Sequence, residues 1–124
     1  MHKKLLGLAV AMTALASIFT AAEAQETKTI GVSIPAADHG WTAGVVYHAN
    51  RVAELLMKEH PGLNVIVKTS ADPATQANAV QDLEVQGIDA LVILPTDPDP
   101  LVNAMKEVKN KGHFVTIVDR APSV

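Results

Sequence analysis

Gly87-Ile88-Asp89-Ala90-Leu91-Val92-Ile93-Leu94-Pro95-Thr96-Asp97 is the stretch that decides the fold. Its middle, Ala90 to Leu94, is an unbroken apolar run. Such a run marks a strand covered on both faces, because a strand wetted on one side alternates with polar residues. Gly87 ahead of it ends a helix. Pro95-Thr96-Asp97 behind it turns the chain out of the sheet.

The same unit repeats in both directions. Upstream, Asp72-Pro73 places a capping side chain before a proline at the first helical position. The helix it opens buries Ala77, Val80 and Leu83, with Ala79 beside them. Leu63-Asn64-Val65-Ile66-Val67 is the strand before it, and Pro61-Gly62 separates that strand from an earlier helix. From Trp41, this first helix carries Val45, Ala49, Val52 and Leu56 at helical spacing, with His48, Arg51, Glu54 and Lys58 between them. Thr29 to Ile34, stopped by Pro35, is the first strand. Downstream, Asp99-Pro100 repeats the cap-and-proline start, and Leu101, Ala104, Met105 and Val108 form a buried stripe. Lys106, Lys109 and Lys111 load the helix end that favours cations, and Gly112 stops it. Phe114 to Val118 is the fourth strand. Alternation of this kind predicts an α/β fold, a three-layer parallel sheet with right-handed crossovers and strand order 2-1-3-4. Four strands and three helices are few for such a sheet, and nothing follows the last strand to cover it. The expectation is a lobe that is incomplete, spanning residues 25–124, the N-terminal part of a larger domain.

Residues 1–24 stand apart from this pattern. Met1-His2-Lys3-Lys4 is a basic start, Leu5 to Thr20 is an apolar run, and Ala22-Glu23-Ala24 is a small-x-small site. The segment reads as a signal peptide cleaved before Gln25. A membrane anchor needs about 20 apolar residues, and Thr13, Ser17 and Thr20 dilute this shorter run. Without Lys3, Lys4 and Glu23 the remaining 100 residues carry 8 basic against 12 acidic side chains, and 8 − 12 gives a net charge of −4. An acidic domain lacks the clustered Lys and Arg that neutralise phosphate, so no nucleic-acid partner is expected. No membrane insertion is expected after cleavage either. With no cysteine in the chain, neither a disulfide framework nor a lipid-anchored cysteine is available. The expected location is the periplasm.

In open parallel sheets, ligands bind beyond the carboxyl ends of the strands. The loops at that edge hold Asp38, His39, Gly40 and Trp41 after strand one, Ser70 to Asp72 after strand two, Pro95 to Asp99 after strand three, and Asp119-Arg120 after strand four. Asp72 and Asp99 are expected to cap helices, and Asp97 to stabilise a turn. His39 reads first as a surface residue, and Trp41 equally as a lid on the core or as a ligand-facing ring. Asp119-Arg120 is either a surface ion pair or a set of acceptors and fork-like donors suited to neighbouring hydroxyls. Neither a glycine-rich phosphate loop nor an HExxH helix nor a serine nucleophile elbow is present, and no cofactor or metal set emerges. No enzymatic chemistry is expected.

Gly31-Val32-Ser33-Ile34-Pro35, Asp38-His39-Gly40-Trp41, Asn78-Ala79-Val80-Gln81-Asp82-Leu83, residues 87–97 and Val118-Asp119-Arg120 follow one another as in periplasmic sugar-binding proteins of the ribose-binding type. The chain resembles that family over its whole length after the leader. The resemblance implies a two-lobed clamp that captures a monosaccharide or polyol for the membrane permease of an ABC importer. It implies that Asp38, His39 and Trp41 supply polar contacts and a stacking ring, and that Asp119 and Arg120 hydrogen-bond sugar hydroxyls. The family commonly has Asn-Pro followed by two aromatic residues after strand one. This chain has Asp38-His39-Gly40-Trp41 there. A sugar-sensing module feeding a chemoreceptor or kinase shares these residues. A small exported flavodoxin-like enzyme is the remaining alternative.

Overall fold

A computed structural model describes residues 26–123. The expected leader and its cleavage point before Gln25 lie outside the described residues. Four strands and three helices alternate: β1 (Lys28–Pro35), α1 (Gly40–Glu59), β2 (Leu63–Ser70), α2 (Pro73–Val85), β3 (Ala90–Ile93), a 3-10 turn (Asp99–Leu101), α3 (Val102–Asn110) and β4 (Phe114–Ile117). The sheet order is β2-β1-β3-β4 and every pairing is parallel, as the alternation predicts. Register sets Pro35 beside Ser70, Ser33 beside Ile93 and Ile93 beside Ile117. The carboxyl ends of all four strands therefore come out along one edge.

The core lies on the α2–α3 face of the sheet. Val80 and Leu83 of α2 meet Leu91 and Ile93 of β3, with Leu101, Met105 and Val108 closing the far side. The stripe read from the sequence for α3 is buried throughout, whereas in α2 Val80 and Leu83 are buried, Ala77 and Ala79 are half-buried, and Gln76 is buried in addition. Gly31 in β1 is required by this packing. A Cβ there would stand 3.0 Å from Leu83 Cδ1 and 3.1 Å from Ile88 Cγ2, both side chains being fully buried. Gly87 and Gly112 end α2 and α3 with φ of 79° and 89°, a backbone state that glycine enters without steric cost.

The opposite face is looser. Val45, Ala49, Val52 and Leu56 of α1 are half-buried or exposed, and only Thr42 and Ala53 of this helix are buried. Between α1 and the sheet runs an apolar groove of about 740 Å³, lined by Val32, Ile34, Trp41, Val45, Val92 and Val118 among others. β3 is thus sealed on one face and open on the other, more weakly covered than its apolar run predicts. β4 is an edge strand, as is β2, and its Phe114 is 81% exposed.

Two helix starts that look alike in the sequence differ in the structure. Asp72 caps α2, accepting from Thr75 N–H at 2.8 Å. Asp99 caps nothing: it sits inside the 3-10 turn, and no side chain caps α3. Pro98 already has helical backbone angles, so the turn begins before Asp99, which lacks the extended backbone from which a capping carboxylate accepts from the N–H groups ahead of it. It instead accepts from the Ser123 N–H at 2.9 Å and the Ser123 hydroxyl at 2.8 Å.

Candidate functional site

The carboxyl edge of the sheet holds a polar cleft of about 180 Å³, lined by Asp38, His39, Thr42, Ser70, Thr96 and Arg120 together with neighbouring backbone. All four strand ends contribute to it. The loop after β1 is folded by Thr42, whose hydroxyl donates to Asp38 Oδ1 at 2.7 Å and accepts from the Asp38 and His39 N–H groups at 3.2 Å each. His39 is the N-cap of α1, its Nδ1 accepting from the Thr42 N–H at 3.5 Å. An accepting Nδ1 leaves the proton on Nε2. The Thr42 hydroxyl holds the Asp38 carboxyl below the ordinary aspartate value, against the opposing effect of burial. Asp38 therefore presents a carboxylate.

Arg120 enters from the opposite side. Its Nη1 donates to the Thr96 carbonyl at 2.8 Å and to the Pro95 carbonyl at 3.3 Å. No described residue accepts from Nη2, so two donors of the fork remain for a ligand. Asp119 Oδ2 lies 3.6 Å from Arg120 Nε, with both side chains about half exposed. Asp119 has φ of 66°, the left-handed state that costs most residues energy and that Asp tolerates better than most.

The structure thus brings Asp38, His39 and Arg120 to one cleft and sets Asp119 beside Arg120. Trp41 stands apart. One residue into α1, it lines the apolar groove with Ile34 and Val118 and is 52% exposed. Two residues that the sequence does not single out as ligand contacts also shape the cleft. Thr96 lines it, and its hydroxyl is buried with no partner among the described residues. Gln76 stands directly behind it, fully buried, and holds the turn after β3 through both ends of its carboxamide. Its signal was present in the sequence: Gln76, Val80 and Leu83 share one helical stripe, and a carboxamide on such a stripe needs partners.

Relatives carry the same frame. The ribose import binding protein of Bacillus subtilis (strain 168) is 37% identical over 57 residues, 46% of this chain and 19% of that protein. An ABC transporter solute binding protein from Mycobacterium smegmatis, solved with bound glycerol, matches with a TM-score of 0.67 at 26% identity. The match covers 79% of this chain and 33% of that one. The periplasmic binding protein component of the arabinose ABC transporter from Shewanella sp. ANA-3, bound to arabinofuranose, matches with a TM-score of 0.64 at 26% identity. Here the match covers 78% of this chain and 31% of that one. The chain spans about a third of the length of these solved relatives. Residues 30–124 match the family described as periplasmic binding protein domain. The sequence resemblance is borne out at that level, and the chain belongs to the periplasmic binding protein domain family.

Proposed function

We propose that the protein captures a monosaccharide or polyol outside the cytoplasm and delivers it to the permease of an ABC importer. The observation that carries the reading is the cleft in which Asp38, His39 and Arg120 converge at the carboxyl edge of a parallel sheet. A carboxylate, an imidazole and the two remaining donors of a guanidinium fork are acceptors and donors of the kind that bind hydroxyls. Charge-assisted bonds of this kind are roughly twice as strong as neutral ones. Asp119 would steady the Arg120 fork and accept from a further hydroxyl. The half-exposed Trp41 ring would give the C–H face of a sugar an apolar surface at the rim.

In this reading residues 1–24 are the export signal and residues 25–124 belong to the first lobe of the binding protein. The family supports a place outside the cytoplasm, and the relatives' bound glycerol and arabinofuranose support a polyhydroxylated ligand. Calorimetric titration of the intact protein with D-ribose, L-arabinose, myo-inositol and glycerol tests it. Saturable binding of one of them, lost in Arg120→Ala, is expected. Titrations without heat for all four, in folded protein, would sink the reading.

A further inference from the structure

We propose that Gln76 is the positioning residue of this cleft: its carboxamide fixes the turn after β3 and so sets where the Arg120 guanidinium stands. The inference rests on the sugar-binding reading for its consequence, but not for its geometry. Gln76 is 0% exposed and lies in the first turns of α2, on the stripe that Val80 and Leu83 continue into the core. An apolar side chain would serve that packing equally well. The carboxamide does something else. Nε2 donates to the Leu94 carbonyl at 2.9 Å and to Ser33 Oγ at 3.2 Å, and Oε1 accepts from the Thr96 N–H at 2.7 Å. The two ends of one amide therefore bracket Pro95, past the last residue of β3, where the sheet no longer supplies partners.

One peptide group is shared with Arg120: the Pro95–Thr96 peptide gives its N–H to Gln76 and its carbonyl to Arg120 Nη1, and the next carbonyl along, that of Thr96, takes the shorter Arg120 bond. β1, α2, the turn after β3 and the loop after β4 form one hydrogen-bonded line, and Gln76 is its buried middle. With the carboxamide gone, the turn keeps its proline but loses both anchors, and the seat of the guanidinium moves with it.

The test uses Gln76→Met, close in volume and without donors. In ligand-free intact protein, NMR follows the Arg120 guanidinium signal, assigned by its loss in Arg120→Lys, and the exchange of the Thr96 amide. The expected result is at least tenfold faster Thr96 exchange and a shifted or broadened Arg120 signal, with Val80 and Leu83 amides unchanged. D-ribose titration should show at least a tenfold loss in Gln76→Met and no further loss when Gln76→Met is added to Arg120→Ala, because the residue acts through Arg120. An unmoved Arg120 signal with Thr96 still protected overturns the proposal whether or not a sugar binds. So does a loss that simply multiplies with that of Arg120→Ala. Failure of wild-type protein to bind D-ribose or the other three solutes counts against the sugar-binding reading, while the NMR result still decides the role of Gln76. If Gln76→Met does not fold, Gln76→Leu, which likewise lacks both the donor and the acceptor, is read in the same way.

Discussion

The Thr42 hydroxyl donates to Asp38 Oδ1 at 2.7 Å, and the same oxygen accepts from the Asp38 and His39 N–H groups. One side chain at the third position of α1 thereby shapes the loop that brings an acid and an imidazole into the cleft. Helix capping and the shape of the cleft rest on the same set of bonds here, so they fail together.

Thr42→Val keeps the shape and removes the hydroxyl. Losing a buried hydrogen-bonding group of this kind costs about 1 kcal/mol, and the chemical denaturation midpoint should fall accordingly. The Asp38 carboxyl, held low first by that hydroxyl, should titrate closer to an ordinary aspartate. Carbon-detected NMR titration of the Asp38 carboxyl reads this directly. An unchanged titration would mean that the bond does not form in solution.

Glu84 makes stability depend on acid. Its side chain is 6% exposed, with Lys111 Nζ 2.8 Å from Oε2 and His113 Nδ1 3.1 Å from Oε1. Burial works against ionisation, but the bonds from Lys111 and His113 outweigh it and hold the carboxyl below its ordinary value of 4.5. The unfolded chain therefore binds this proton more readily than the folded one. The contribution is present above the unfolded value and is lost as pH falls through the lower, folded one. Glu84→Gln should unfold at a lower midpoint than wild type at pH 7, and the difference should shrink as pH falls below about 4.5. Paired denaturant melts at pH 7 and pH 3.5 check it.

Gly31→Val should destabilise the sheet by about 1–3 kcal/mol, the usual cost of overpacking a filled core. Leu83 and Ile88 close the space that a side chain would need. Urea melts of the two proteins measure the difference. A melt unchanged by Gly31→Val would show that α2 is free to move away from β1.

The fold was legible because its signals are local. The apolar run at Ala90 to Leu94, the cap at Asp72 and the glycines at 87 and 112 each act within a few residues; the cap and the glycines hold, and the run forms its strand although one face of it stays open. Asp99 misleads for the same reason. Its dipeptide copies Asp72-Pro73, but its partner is Ser123, 24 residues away, and no local pattern announces it. Much of the site is of this second kind. Gln76 was visible as a polar residue on an apolar stripe, but its bonds to Leu94 and Thr96 come from the way strands register. His39 as a cap was not legible either, since histidine is not among the favoured N-cap residues. Trp41 sits on the groove side because α1 turns its first apolar residue toward Ile34 and Val118, a matter of helix rotation that spacing alone leaves open.

Arg120→Ala should weaken binding of the cognate sugar at least tenfold. The two free donors of its fork would be lost, and hydroxyls stranded opposite a missing partner cost roughly 1–3 kcal/mol. Lys58→Ala, on the exposed last turn of α1, should leave affinity unchanged. Titration of the two variants side by side separates a cleft effect from a general one. Equal affinity in wild type and folded Arg120→Ala would return Asp119 and Arg120 to a surface ion pair.

Asp119 allows stability and binding to be pulled apart. Its φ of 66° lies where glycine rests without strain and where a non-glycine residue costs on the order of 1–3 kcal/mol, least for Asp and Asn. Asp119→Gly should therefore fold at least as well as wild type while losing the carboxylate 3.6 Å from Arg120 Nε. Affinity for the sugar should fall although the melting temperature does not. Asp119→Val, with a β-branched side chain in the same backbone state, should melt lower as well as bind worse. Melting curves and titrations of the pair decide between a carboxylate that binds and a residue that only turns the chain. If Asp119→Gly binds as tightly as wild type, the turn alone is what position 119 supplies, and Arg120 holds its sugar without help.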